Sequence, residues 1–181
     1  MSGGGLRFLG ERLIATTSFL ELARRYYVAP QGRLARREVI RHPGAVAVVP
    51  IIDGDVVLIS QHRVAIDRDL LEIPAGKCDT PGEDPEATAI RECEEEVGYR
   101  PNRLTLLHTF FTTPGFTDEV IWLYLAEDLE PVRSRPQGIE EERADVVRMP
   151  IAEALRRVRD GEILDAKTLI GLLAIAKEQS P

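Results

Sequence analysis

Residues 76–83 read Gly-Lys-Cys-Asp-Thr-Pro-Gly-Glu, and residues 84–99 read Asp-Pro-Glu-Ala-Thr-Ala-Ile-Arg-Glu-Cys-Glu-Glu-Glu-Val-Gly-Tyr. Asp84 followed by Pro85 is an N-cap ahead of proline at the first helical position, and Gly98 is a left-handed stop, so the spacing predicts a helix over residues 85–97. Ala87, Ile90, Cys93 and Val97, with Ala89 at the edge, recur every three or four residues and must face a core. Away from that stripe, at about 100° per residue, Glu92 and Glu96 lie about 40° apart and Glu95 about 60° to the other side of Glu92. Three carboxylates therefore share one face within roughly one turn.

Such a grouping is unfavourable on its own. Two carboxylates about 5 Å apart repel by about 3 kcal/mol at an effective dielectric of about 20, against a few tenths of a kcal/mol returned by an exposed helical ion pair. The last turn of a helix is already negative and favours cations. Arg91 is the base within the helix, and it precedes Glu95 in the less favourable order. A solvated acidic face usually alternates glutamate with lysine, which this one does not. The cluster calls for a counter-charge, and oxygen-only donors select a hard divalent cation, Mg²⁺ or Mn²⁺, that arrives with phosphate groups.

Outward from this helix the chain reads as strands. Residues 45–51 and 56–61 are apolar runs joined through Asp53-Gly54, a strong hairpin signal, and residues 104–111 and 120–126 read as later strands. Two amphipathic helices follow, over residues 151–160, stopped by Gly161, and over residues 166–177. Strands flanked by helices predict an α/β sandwich. Ahead of them, residues 13–22, 25–29 and 34–40 are β-prone and split by Pro30-Gln31-Gly32. They read as hairpins of their own, giving an N-terminal β arm over residues 1–42 and a main domain over 43–181.

The whole sequence, 181 residues with 30 acids against 23 bases and a net charge of −7, reads as an ordinary soluble domain with no generic nucleic-acid grip. Its longest near-continuous apolar run, residues 45–52, carries Pro50 and falls well short of the roughly 20 residues needed to cross a bilayer. No secretory leader pattern opens the chain, so the expectation is a cytoplasmic protein without a membrane partner. Cys78 and Cys93 form no CxxC, and His42, His62 and His108 lack metal-ligand spacing, which argues against a disulfide framework and a zinc site.

The residues from Gly76 to Glu83, the seven that follow, and Arg91-Glu92-Cys93-Glu94-Glu95-Glu96-Val97-Gly98 closely resemble the signature box of the Nudix hydrolases. One departure is that six residues, rather than the usual five, separate Gly76 from Glu83. The resemblance implies an α/β/α sandwich with a mixed sheet, preceded here by the small β arm. It carries metal-ligand roles onto Glu92 and Glu96, makes Glu95 a further ligand or a base, and assigns the backbone carbonyl of Ala75 to the same ion. Arg91 is expected to orient Glu83 and the box loop, and Cys93 to pack in the core.

Leu71-Glu-Ile-Pro-Ala-Gly76, Thr113-Pro-Gly-Phe-Thr-Asp-Glu119, Pro150-Ile-Ala-Glu-Ala154 and Gly161-Glu-Ile163 are similar to the ADP-ribose pyrophosphatase branch. That likeness implies a homodimer whose arms help to line the substrate site. It also implies contacts from Arg36, Glu38 and Arg63 to adenosine or its ribose, and a neighbouring loop lined by Thr113, Gly115 and Glu119. Read alone, Pro114-Gly115 is a plain turn and Glu140-Glu141-Glu142 a solvated loop, and it is the preceding box that brings a functional reading of the turn level with the plain one. The resemblance makes Glu140, with Glu142 next, the base that deprotonates water. The implied reaction is Mg²⁺-dependent hydrolysis of the diphosphate of ADP-ribose to AMP and ribose 5-phosphate. Hydrolysis of another nucleoside diphosphate sugar or a dinucleotide, and a non-catalytic nucleotide sensor, are the alternatives.

Overall fold

The computed structural model describes residues 5–80, 82–134 and 144–178. Two compact units divide the chain, one holding residues up to Gly44 together with Phe111–Val120, the other Ala45–Phe110 together with residues from Ile121 onward.

In the first unit β1 (Arg7–Thr16), β2 (Glu21–Val28) and β3 (Leu34–Arg41) form an antiparallel sheet in that order. The stretch 13–22, which reads as one extended segment, is broken by a turn. Thr17 N–H donates to the Leu20 carbonyl at 2.8 Å, and the Thr17 hydroxyl accepts Leu20 N–H at 3.0 Å. The hydroxyl satisfies a backbone group locally, which is why a threonine can end a strand that its β-branching otherwise favours. The Pro30-Gln31-Gly32 turn forms as expected, with Gly32 N–H on the Ala29 carbonyl at 2.9 Å. Loop Phe111–Val120 joins this unit through Ile40 N–H on the Phe116 carbonyl at 2.7 Å and through Asp118, which accepts His42 N–H at 2.9 Å and Arg41 at 2.6 Å.

The second unit is built on β4 (Ala45–Ile52), β5 (Asp55–Arg63), β6 (Arg68–Glu72), β7 (Ala75–Lys77), β8 (Tyr99–Phe111), β9 (Val120–Pro131) and β10 (Asp145–Pro150). They form one sheet in the order β10-β5-β4-β9-β8, with β6 on β5 and β7 on β4. It is mixed: β4 runs parallel to β9 and antiparallel to β5 and β7. Asp53 and Gly54, both at positive φ (50° and 84°), close the β4–β5 hairpin.

Among the described residues, three α-helices cover the two faces: α1 (Pro85–Glu92), α2 (Ile151–Arg159) and α3 (Ala166–Glu178). The alternation along β4 explains the layering. Val46 and Val48 point to one face and pack with Ala89, Cys93 and Val97, while Ala47 and Val49 point to the other and pack with Ile151, Ala154, Leu172 and Ile175. The result is the α/β/α arrangement expected from the sequence. Among the described residues, no helix is long and apolar enough to cross a membrane.

One expectation about the glutamate helix needs correction. The α-helix ends at Glu92, and Cys93–Val97 form a π-helical turn instead of continuing it. Angles drawn at a constant 100° per residue therefore do not apply beyond Glu92. The wider turn keeps both Cys93 and Val97 buried while Glu94 turns outward to Arg100. Gly98, at φ 73° and ψ 30°, stops it by donating its N–H to the Cys93 and Glu94 carbonyls.

Candidate active site

The carboxylates of the glutamate helix are sorted by one arginine. Arg91 on α1 reaches back across the loop to Glu83, with Nη2 3.1 Å from Oε2 and Nε 3.3 Å from the same oxygen. Its Nη1 donates to Glu92 Oε1 at 2.6 Å and to Glu95 Oε2 at 3.0 Å. Glu83 also accepts the Thr88 hydroxyl at 3.0 Å, and Asp84 caps α1 by accepting Ala87 N–H at 2.8 Å. Burial works against the Arg91 charge, yet Glu83, Glu92 and Glu95 outweigh it and hold the guanidinium more firmly protonated than usual. The Arg91 hydrogen bonds in turn keep the Glu83 carboxyl below the ordinary carboxylate range.

Beside this cluster runs the β7 backbone. Ala75 N–H donates to Glu96 Oε2 at 2.9 Å, which ties the strand to the π-helical turn. Gly76 passes so close that a Cβ there would lie 1.9 Å from Glu92 Cδ. Only glycine leaves room for that carboxylate, and its backbone has no positive φ to explain it otherwise. Glu92 is 7% exposed. Among the described residues no three His, Cys, Asp or Glu side chains converge as metal ligands do, since Glu92 and Glu95 turn to Arg91 and Glu96 to Ala75. The donors are nonetheless all oxygen, three of them gathered on one guanidinium, and set against a glycine cradle. That chemistry fits a hard divalent cation.

A second ionic cluster lies behind β6. Arg63 on β5 grips Glu72 with Nε at 2.7 Å from Oε1 and Nη2 at 2.6 Å from Oε2. Lys167, in the first turn of α3, hydrogen-bonds the same carboxylate and sits 3.0 Å from Asp165. Asp165 caps α3, accepting Thr168 N–H at 2.9 Å, and the Thr168 hydroxyl accepts Ile73 N–H at 2.8 Å. Burial pushes the Glu72 carboxyl up, but Arg63 and Lys167 overcome it and leave it below the ordinary range.

The first unit carries Arg36, Glu38, Thr113, Gly115 and Glu119. Arg36 and Glu38 stand two apart on β3, on one face of the sheet, and Glu38 accepts Arg24 Nε at 2.8 Å. The Thr113 carbonyl accepts Phe116 and Thr117 N–H, both at 3.1 Å, so Pro114-Gly115 is a turn. Gly115 is open, with nothing within 4 Å of an added Cβ. Glu119 accepts the Thr112 hydroxyl at 2.6 Å and lies 3.5 Å from His42 Nε2. Glu140 and Glu142 lie outside the described residues.

A family profile described as the NUDIX domain matches residues 41–169. The chain belongs to the NUDIX domain family. Among curated proteins, an ADP-ribose pyrophosphatase of Bacillus subtilis (strain 168) is 42% identical over 140 residues, covering 77% of this chain and 75% of that protein. An ADP-ribose pyrophosphatase of Mycobacterium tuberculosis (strain ATCC 25618 / H37Rv) is 40% identical over 170 residues, 92% of this chain and 81% of that one. A solved structure titled as that of an ADP compounds hydrolase superposes with a TM-score of 0.82 at 25% identity, covering 96% of this chain and 94% of the other.

In this Nudix chain the box residues Gly76, Glu83, Arg91, Glu92, Glu95 and Gly98 form one linked unit, and Arg91 takes the orienting position expected of it. Glu72, Asp165 and Lys167 are functional candidates that sequence reading passes over. Two signals were present: Glu72 is a lone charge in the apolar run Leu70-Leu71-Glu72-Ile73, and Lys167 occupies a helical first turn, where the macrodipole disfavours a cation.

Proposed function

We propose that this Nudix chain hydrolyses the diphosphate of ADP-ribose, or of a similar nucleoside diphosphate sugar, to AMP and ribose 5-phosphate with Mg²⁺ or Mn²⁺. The observation that carries the chemistry is the gathering of carboxylates at Arg91, with Glu83, Glu92 and Glu95 on one guanidinium and Gly76 holding space for Glu92. The choice of substrate is supported by the identity to two ADP-ribose pyrophosphatases.

Glu92, Glu95, Glu96 and the Ala75 carbonyl are the groups that would hold the metal. When bound, such an ion neutralises the diphosphate and lowers the pKa of a coordinated water. Glu140 takes the proton from the attacking water, with Glu142 next and Glu95 third in order. Water adds to one phosphorus while the bridging P–O bond breaks, and the bridging oxygen leaves with the other product. Arg36, Glu38 and Arg63 contact the adenosine or its ribose, and Thr113, Gly115 and Glu119 line the adjoining loop. The arm over residues 1–42 pairs two copies into a homodimer, a reading supported by its exposed Phe8, Leu9, Leu13 and Ile14. The protein acts in the cytoplasm.

Incubation with ADP-ribose, other nucleotide sugars and dinucleotides in Mg²⁺, followed by product separation, tests the reading. AMP and ribose 5-phosphate from ADP-ribose are expected. Turnover of a different member moves the substrate, and binding without turnover of any member leaves a sensor. Sedimentation of the same sample as a monomer removes the dimer.

A further inference from the structure

The Glu72 cluster is built unlike an ordinary surface ion pair. Glu72 is fully buried, and it holds two cations from different elements, Arg63 on β5 and Lys167 on α3. Asp165 supplies a second carboxylate, paired with Lys167. Asp165 is at the same time the cap of α3, and Thr168 in the first turn of that helix accepts the backbone N–H of Ile73 beside Glu72. Every member is therefore fixed by a backbone element or by another charge, the condition under which a buried polar network is rigid.

Arg63 is the member that reaches out. Its side chain is 40% exposed, whereas that of Glu72 is fully buried and that of Lys167 is 9% exposed. A guanidinium has two usable edges, and Nε with Nη2 spend the lateral one on Glu72. The terminal edge, Nη1 with the outward N–H of Nη2, is left directed away from Glu72. That edge matches two oxygens of a phosphate or two vicinal hydroxyls.

We propose that Glu72, Lys167 and Asp165 form a positioning set that locks Arg63 with its terminal guanidinium edge presented to the ligand, so that affinity for substrate depends on Lys167, which acts on it only through Glu72 and Arg63. The proposal rests on the reading of Arg63 as a substrate contact and extends it to residues on α3. Lys167 and Asp165 are positioning residues, acting through Arg63 and Glu72.

Steady-state kinetics of the full chain on ADP-ribose tests it with Lys167→Met, Arg63→Ala and the double variant. Lys167→Met is expected to raise KM about 5- to 20-fold with kcat within about 3-fold, and to add little when Arg63 is already alanine. Equal losses from Lys167→Met in the presence and absence of the Arg63 side chain, or a fall in kcat with KM unchanged, overturn the proposal. If Lys167→Met does not fold, Asp165→Asn carries the test: the amide still caps α3, Lys167 loses a partner, and KM is expected to rise about 2- to 4-fold only while Arg63 is present. Arg63→Ala with an unchanged KM overturns both the substrate contact and this extension, whereas a raised KM in Arg63→Ala with none in Lys167→Met or Asp165→Asn overturns the extension alone.

Discussion

Two arginines in the second unit each hold carboxylates, and they do so for opposite ends. Arg63 meets a carboxylate sealed from water, Glu72, which Lys167 holds as well, and Asp165 in turn pairs with Lys167. Among the described residues Arg91 takes Glu83, Glu92 and Glu95 on one guanidinium, while Glu96 accepts a backbone N–H and adds its charge to the field at Arg63. A buried charge without a partner costs several kcal/mol, so the sealed Glu72 carboxylate needs its cations close by. The Arg91 cluster is only partly buried, and its gathered carboxylates repel one another, which a divalent cation would relieve.

Glu92→Gln acts on the Arg91 side and is expected to have the largest effect. Turnover is expected to fall by at least about 100-fold, since loss of a group proposed to hold the metal itself should exceed the 10–100-fold typical of groups that only orient such ligands. Gly76→Ala should imitate it without touching charge, because the added Cβ must displace the Glu92 carboxylate. Near-normal initial rates in either variant would break the contrast drawn here. On the Arg63 side Glu72→Gln leaves Arg63 and Lys167 short of a carboxylate and should lower unfolding stability by about 3 kcal/mol, measured by urea titration at pH 7. Because the folded Glu72 carboxyl sits below its ordinary value of 4.5, its contribution is complete above that pH and fades as pH falls through the folded value. The gap between wild type and variant should therefore close in acid, and a gap constant down to pH 3 would contradict the assignment. The smallest effect is expected from Glu95→Gln, which removes one repelling charge while Arg91 keeps two partners. In metal-free buffer its melting temperature should rise by about 1–3 °C, with Mg²⁺ restoring the wild type more than the variant. A lower melting temperature there would show that the carboxylates do not repel.

The sequence by itself determined the helix start at Asp84-Pro85, the stop at Gly98, the β4–β5 hairpin at Asp53-Gly54 and both C-terminal helices, because caps, turn residues and hydrophobic period act over a few neighbours. It also supplied the roles of Arg91 and Cys93, since their partners lie within one or two turns or on the helix's own apolar stripe. Tertiary structure alone decided that the last turn is π-helical and that Gly76 yields its space to Glu92. The Arg63-Glu72-Lys167-Asp165 cluster belongs with these: Lys167 is 95 positions from Glu72, and the local signals that mark each side chain as unusual do not name its partner. A carboxylate's partner across the chain is set by which strands and helices pack together, and that is settled only when the whole core forms.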